Sequence, residues 1–177
     1  MQSDVTQEEY DQQTREQRLQ AAIKKLNLTS ELGTVEYTIK IVHTERKKKK
    51  ILFVEQEVDL ALILNAHLKG GIRLRGFSNR NIIVNDVNNS VEVILPHAEL
   101  LSKSIRDVDV RAFSIYRLTL KDFDVEERQK ARKDAEKSLD SYVSKLRIIE
   151  DAEKNAKEFF VALLGQIGFS NVNVRFV

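Results

Sequence analysis

The chain has no cysteine, a single proline (Pro96), a single methionine (Met1) and six glycines. Without cysteine there is no disulfide, no thiolate nucleophile and no cysteine-held zinc or iron–sulfur centre. The few glycines do not spell a phosphate-binding loop. Gly70-Gly71 followed by Gly76 misses the spacing of the dinucleotide and P-loop motifs, and no Gly-x-Ser-x-Gly elbow for a serine nucleophile occurs. No apolar run approaches the ~18 residues that a membrane helix needs. The first residues, Met-Gln-Ser-Asp-Val-Thr-Gln-Glu-Glu, carry neither the basic start nor the apolar stretch of a signal peptide. A dominant charge is missing as well: 29 basic residues face 27 acidic ones, a net of +2. That balance supplies no global field to draw in nucleic acid or an anionic membrane, so any basic partner site has to be local.

What is present suffices for one globular domain. The chain has 177 residues, of which 42% are hydrophobic and 32% charged, and a chain of that size buries roughly 70% of its unfolded surface. Residues 1–18 are polar, with helix propensity but almost no face to bury. From there Leu19, Ala22, Ile23 and Leu26 share one helical stripe. The pattern predicts a helix that is solvated in its first half, docked over its last two turns and ended at 27–30. The polar half reads as a stalk or as a frayed terminus.

Residues 35–44 alternate, with Val35, Tyr37, Ile39 and Ile41 on one side of a half-buried strand. The run Arg46, Lys47, Lys48, Lys49 and Lys50 follows as a charged loop tip, and 51–54 resume as a strand. Residues 58–68 place Val58, Leu60, Leu62, Leu64, Ala66 and Leu68 at a strict spacing of two, a strand terminated by Gly70-Gly71. Residues 82–84 and 91–95 form a second hairpin around the turn-rich 85–90. Pro96 stops it, 98–104 read as one or two helical turns, and 108–116 as another strand. Over 125–166 the sequence is helical. Leu139, Tyr142, Leu146, Ile149, Ala156, Phe160, Leu163 and Ile167 recur every three or four residues, with Glu153 in the one slot that breaks the row. One or two helices lying along a sheet are expected there, and the near-heptad period also suits self-association. Gly165 and Gly168 end the helix, and Val172, Val174 and Phe176 alternate in a closing strand. The expected fold is thus α+β: a mostly antiparallel sheet, an N-terminal helix over 1–30, a long C-terminal helix, broken or whole, packed on the sheet, and a final strand. Residues 31–177 are expected to form the single domain.

No constellation identifies a catalytic, cofactor-binding or metal site. His43, His67 and His97 lie on separate elements, and none has a second histidine three to five residues away, as local zinc pairs require. His43 and His67 both fall in strands and can meet across a sheet, with Tyr37 nearby, as the lining of a pocket. Most carboxylates, such as Glu126, Glu127, Asp134 and Glu136, alternate with basic residues like the solvated face of a helix. The five-residue basic run is the most visible feature. It suits contact with phosphates or anionic lipid headgroups. It equally suits a solvated hairpin whose charge discourages edge pairing. No aromatic interleaves it, as single-strand nucleic-acid binding would want, so nucleic acid is the least favoured partner.

Four segments carry a resemblance: Glu31-Leu-Gly-Thr-Val-Glu-Tyr-Thr; Gly70-Gly-Ile-Arg-Leu; Val91-Glu-Val-Ile-Leu-Pro-His-Ala-Glu-Leu-Leu; and Ala152-Glu-Lys-Asn-Ala-Lys-Glu-Phe-Phe-Val-Ala-Leu-Leu-Gly-Gln-Ile-Gly-Phe. In order and spacing they make residues 32–177 resemble the bacterial domain-of-unknown-function family 4230. The chain departs from that family at Arg73-Leu74, where the family has an Asp-Leu pair. The resemblance implies a fold and a location but no catalytic residue. Members often carry a membrane-spanning segment ahead of the domain, which would make residues 1–20 a juxtamembrane spacer. The expectation is therefore a non-catalytic interaction or scaffold domain of the bacterial cell envelope. It would be membrane-anchored, with a protein partner or self-association through the C-terminal helix. The alternative is a domain binding a small molecule or lipid, or a hydrolase of unrecognised type, cytoplasmic or not, with its pocket between helix and sheet.

Overall fold

Hydrophobic patterning of the chain resolves into three α-helices, six strands and a short 3-10 turn in the described part of a computed structural model, which covers residues 7–51, 53–113 and 124–177. Residues 7–9, 47, 49, 51, 56, 58 and 106–113 are described by their backbone alone. The order is α1 (Gln7–Thr29), β1 (Glu31–Ile51), β2 (Val54–Arg73), the 3-10 turn Asn79–Asn81, β3 (Ile82–Asn85), β4 (Ser90–Leu95), β5 (Glu99–Phe113), α2 (Val125–Val143), α3 (Ile148–Ile167) and β6 (Asn171–Phe176). The fold is α+β, as expected, but with two three-stranded sheets in place of one, in the orders β1-β2-β5 and β3-β4-β6. β3 runs antiparallel to β4, whereas β4 and β6 are parallel, with Val91 opposite Val172 and Val93 opposite Val174. A parallel pair needs a long crossover, and the chain between β4 and β6 supplies it.

The chain gathers into two compact units, each assembled from separated segments. The first comprises Met1–Val35, Lys69–Leu101 and Ile148–Val177. Its core joins Leu19, Ile23 and Leu26 of α1 to Ala152, Ala156, Phe160 and Leu164 of α3, and to Val91, Val93 and Leu95 of β4. The docked second half of α1 is as the stripe predicts. The first half is tied rather than loose. Arg15 bonds Asp86 at 2.5 Å and Asn89 Oδ1 at 2.6 Å, and its guanidinium lies 4.9 Å over the Phe169 ring. Asn89, at φ 44, also donates through Nδ2 to the Gly168 carbonyl and Ser170 Oγ. One arginine thereby joins α1 to the β3–β4 turn and to the end of α3.

The second unit comprises Glu36–Leu68 and Ser102–Arg147. Leu60, Leu62 and Leu64 of β2 pack on Ala131 and Ala135 of α2, with Ile105 of β5 alongside. α2 starts at a capping box, in which Asp124 accepts from Glu127 N at 2.7 Å and Glu127 accepts from Asp124 N at 3.1 Å, worth about 1 kcal/mol.

Several local expectations are corrected. Residues 46–50 are not a loop: β1 continues through them to Ile51, and β2 begins at Val54. Residues 51–54 are accordingly not a strand of their own, since Ile51 closes one strand and Val54 opens the next. Residues 98–104 are not helical. From Glu99 they open β5, where pairing with β2 overrides the helix propensity of Leu100 and Leu101. Gly70-Gly71 does not terminate β2, which runs on to Arg73. The expected helical row also fails to form as one stripe, because Ser144 to Arg147 separate two helices. Tyr142 is 49% exposed, and the buried faces follow spacings of four: Ala131, Ala135 and Leu139 on α2, Ile148, Ala152, Ala156, Phe160 and Leu164 on α3. The strand expected over 108–116 is present to residue 113, and its last three residues lie outside the described ones.

The glycines of β2 are there for space. A Cβ on Gly71 would meet the Leu32 carbonyl oxygen and lie 2.9 Å from Gly33 Cα; one on Gly70 would come within 2.8 Å of Ile148 Cγ1 and 2.9 Å of Val35 Cγ1. At the end of α3, Gly168 (φ 119) closes the helix. Its N–H donates to Gly165 O, and Phe169 N–H donates to Leu164 O, the 5→2 and 6→1 pair of a Schellman cap. Gly165, by contrast, has open space where its Cβ would be. Gly71→Ala should therefore lower stability by about 1–3 kcal/mol through overpacking against backbone. Gly165→Ala should raise it by up to about 0.5–1 kcal/mol through helix propensity. Urea unfolding midpoints of the two variants check both signs.

Candidate functional site

Side chains alternate along a strand, so residues an odd number apart face opposite sides. On β1 the odd positions Tyr37, Ile39, Ile41 and His43 are half-buried, while Thr38, Lys40, Val42 and Thr44 are exposed. The odd face is the one toward α2, since His43 Nδ1 lies 3.1 Å from Ser138 Oγ. On β2 the even residues Leu60, Leu62 and Leu64 pack on α2, so His67 faces the other way. Its Nδ1 is 3.1 Å from Thr38 Oγ1. The expected trio of Tyr37, His43 and His67 is thus divided: Tyr37 and His43 lie on the face toward α2, His67 on the opposite face.

Each of these two histidines thus has a hydroxyl partner on a neighbouring element. Ser138 Oγ donates to the Asp134 carbonyl at 3.0 Å. A hydroxyl has one proton, so while Ser138 donates to Asp134 it accepts from His43 Nδ1–H. The third histidine is better oriented than the sequence indicates. His97 Nδ1 is 2.8 Å from Glu153 Oε1, which also accepts from Ala98 N–H at 3.3 Å, and the imidazole stacks on Phe176 at 6.3 Å. Glu153 breaks an apolar helical row because it caps this turn; the broken row was the available signal. His97 is exposed, its side chain at 68%. Among the described residues no group of three or more His, Cys, Asp and Glu could hold a metal, and no helix is long and apolar enough to cross a membrane.

The basic run sits near the end of the β1–β2 hairpin. Only two residues separate these neighbouring strands, which requires antiparallel pairing. Arg46 forks onto Asp59 of β2, Nε to Oδ1 at 2.8 Å and Nη2 to Oδ2 at 3.3 Å, with Glu57 at 3.9 Å. The hydrogen bond to Asp59, then the charges of Asp59 and Glu57, raise the Arg46 pKa; the same hydrogen bond holds the Asp59 carboxyl below the usual carboxylate range. Lys48 and Lys50 follow at two-residue spacing and are exposed; Lys47 and Lys49 lie in the same strand. Past the lysines, Phe53 is 92% exposed with φ 73, and Val54 is 57% exposed. A strand over 51–54 would have hidden this feature, although the apolar run Ile51-Leu52-Phe53-Val54 directly after four lysines was its signal.

These elements define an α+β protein in which the end of the β1–β2 hairpin, beyond the ion pairs at Arg46, carries exposed lysines and an exposed Phe53. The chain matches the family described as Protein of unknown function (DUF4230) over residues 24–174, and it belongs to that family. The match takes in the last turns of α1 and all but the end of β6. No curated protein and no solved structure matches the chain.

The Asp59 pairing has a definite pH sign. A depressed carboxylate stabilises the fold at pH values above its unfolded pKa, and that contribution is lost as pH falls through the folded pKa. Asp59 should titrate in NMR with a midpoint below the ordinary carboxylate value, and Arg46→Ala should move the midpoint back up. An unchanged midpoint in the variant would show that the pairing does not persist in solution.

Proposed function

We propose that this protein is a non-catalytic interaction domain of the bacterial cell envelope, held at the membrane by a segment ahead of α1. The observation that supports this reading is the hairpin: Lys48, Lys50, Phe53 and Val54 are presented to solvent, whereas His43 and His67 point into separate faces and are engaged with Ser138 and Thr38. A charged hairpin end exposed to solvent is the form of a contact element. A chemical centre instead needs converging groups in a sheltered cleft. The division of Tyr37, His43 and His67 between two faces leaves the pocket reading without a common lining.

Fractionation of cells expressing the native-length protein checks the location. The expected result is retention in the membrane pellet after washing with alkaline carbonate. Recovery in the soluble fraction at neutral pH and physiological salt would overturn the envelope reading.

A further inference from the structure

From the tip of the β1–β2 hairpin we infer that this protein docks on an anionic phospholipid surface, with Phe53 and Val54 entering the interface and the lysines of β1 contacting the headgroups. The inference deepens the envelope reading by naming what the hairpin touches, but its chemistry stands apart from where the native protein resides.

Three independent observations converge on it. The first is conformational. A position of positive φ in a two-residue hairpin connection is ordinarily filled by Gly, Asn or Asp, yet position 53 holds an aromatic at φ 73 that is 92% exposed. A bulky residue is rare in that region of backbone space, and so exposed a ring adds next to nothing to the core.

The second is electrostatic. Arg46 is satisfied by Asp59 and Glu57, so these two acids of β2 are engaged at the base of the run. From Lys47 to Val54 the sequence has four lysines and no acid, and Glu55 is the single carboxylate next to that stretch on β2 before Glu57. Lys48 and Lys50 are exposed and, two residues apart on a strand, are separated by about 7 Å on one face. The outer part of the hairpin is therefore net positive, although the whole chain is nearly neutral.

The third is the order of the two. Apolar residues occupy the outermost position and cations lie directly behind them. A bilayer presents the matching layers, with anionic headgroups outside and the acyl boundary beneath them. A nucleic acid would want the aromatic interleaved with the cations for base stacking. Here Ile51-Leu52-Phe53-Val54 follow the lysines as a block.

The test uses the whole 177-residue chain with sedimented vesicles of phosphatidylcholine, alone or with about one-third phosphatidylglycerol, a fraction that gives a negative surface potential. Binding is expected only to the anionic vesicles, and it should weaken as salt rises. Lys48→Glu with Lys50→Glu should reduce binding by on the order of several hundredfold, since each lysine near such a surface contributes about fivefold and reversal doubles the free-energy loss at each position. Phe53→Gly is the decisive variant. Glycine tolerates the positive φ, so thermal stability should hold or rise while vesicle affinity falls several-fold. Because the chain has no tryptophan, Phe53→Trp gives a single reporter. Its emission should shift to the blue on anionic vesicles and be quenched by brominated acyl chains.

No binding to anionic vesicles at low salt would overturn the inference. So would full binding by Phe53→Gly, an unquenched indole in the vesicle-bound Phe53→Trp variant, or preferential binding to an oligonucleotide competitor. A chain that binds vesicles yet fractionates as soluble in cells would remove the envelope reading and leave the lipid contact in place.

Discussion

The close backbone approach at Gly70 and Gly71 is the constraint on which the first unit depends. Three elements converge on these two residues: β1 through Leu32, Gly33 and Val35, β5 through Leu101, and the start of α3 through Ile148. At Gly71 the β1 backbone itself, Leu32 O and Gly33 Cα, comes closer than a Cβ allows; at Gly70 the neighbours are the Val35 and Ile148 side chains. Once β2 passes through this point it delivers Ile72 and Leu74 into the core, and Leu74 N–H bonds the Ser30 carbonyl between α1 and β1. The entry of β1, the continuation of β2 and the seating of α3 are therefore one packing event. An added methyl at Gly71 displaces backbone, and backbone has no alternative rotamer to move into.

Charge plays a different part. Among the described residues no polar or charged residue is buried, so the ion pairs lie on the surface, where each contributes at most about 1 kcal/mol. Their effect is placement. Arg15 with Asp86 and Asn89 fixes the first half of α1 against the β3–β4 turn. His97 with Glu153 fixes the turn after Pro96 on α3. Arg46 with Asp59 ties β1 to β2 below the lysines. In a chain whose formal charge is +2, local polarity arises from which cations are left beyond the last acidic partner.

The sequence was legible where one face of an element meets a core. The stripe of α1, the period of two in β2 and the alternation of β4 and β6 each follow from burial on one side, and the family resemblance extended over the matched region. It was misleading where partners lie far away in sequence. Lysines at 47–50 look like a loop because nothing local shows Glu57 and Asp59 on the neighbouring strand. Glu99 to Ser104 look helical because their pairing with β2 spans some thirty residues. Gly70-Gly71 look like punctuation because close approach of another backbone leaves no trace in the chain itself. The division of His43 from His67 was calculable in principle. Each needs only its parity, but the relative parity of two strands is set by register, which a single chain does not display.

Two residues break the local pattern of this sequence, and they do so in opposite senses. Glu153 is a carboxylate in an apolar helical row, and the fold accounts for it through His97 and the Ala98 N–H. Phe53 is an apolar residue just past a lysine run, and no burial accounts for it: it is exposed, in a backbone region where glycine fits better. Locally inconsistent residues mark functional positions when the folded state gives nothing back for them. The hairpin as a β-structure would be served at least as well by a smaller residue at position 53, and the proposed lipid contact supplies a reason for the aromatic. On that proposal the cations immediately behind Phe53 meet a layer that is negative, and the ring meets an apolar layer just beyond it.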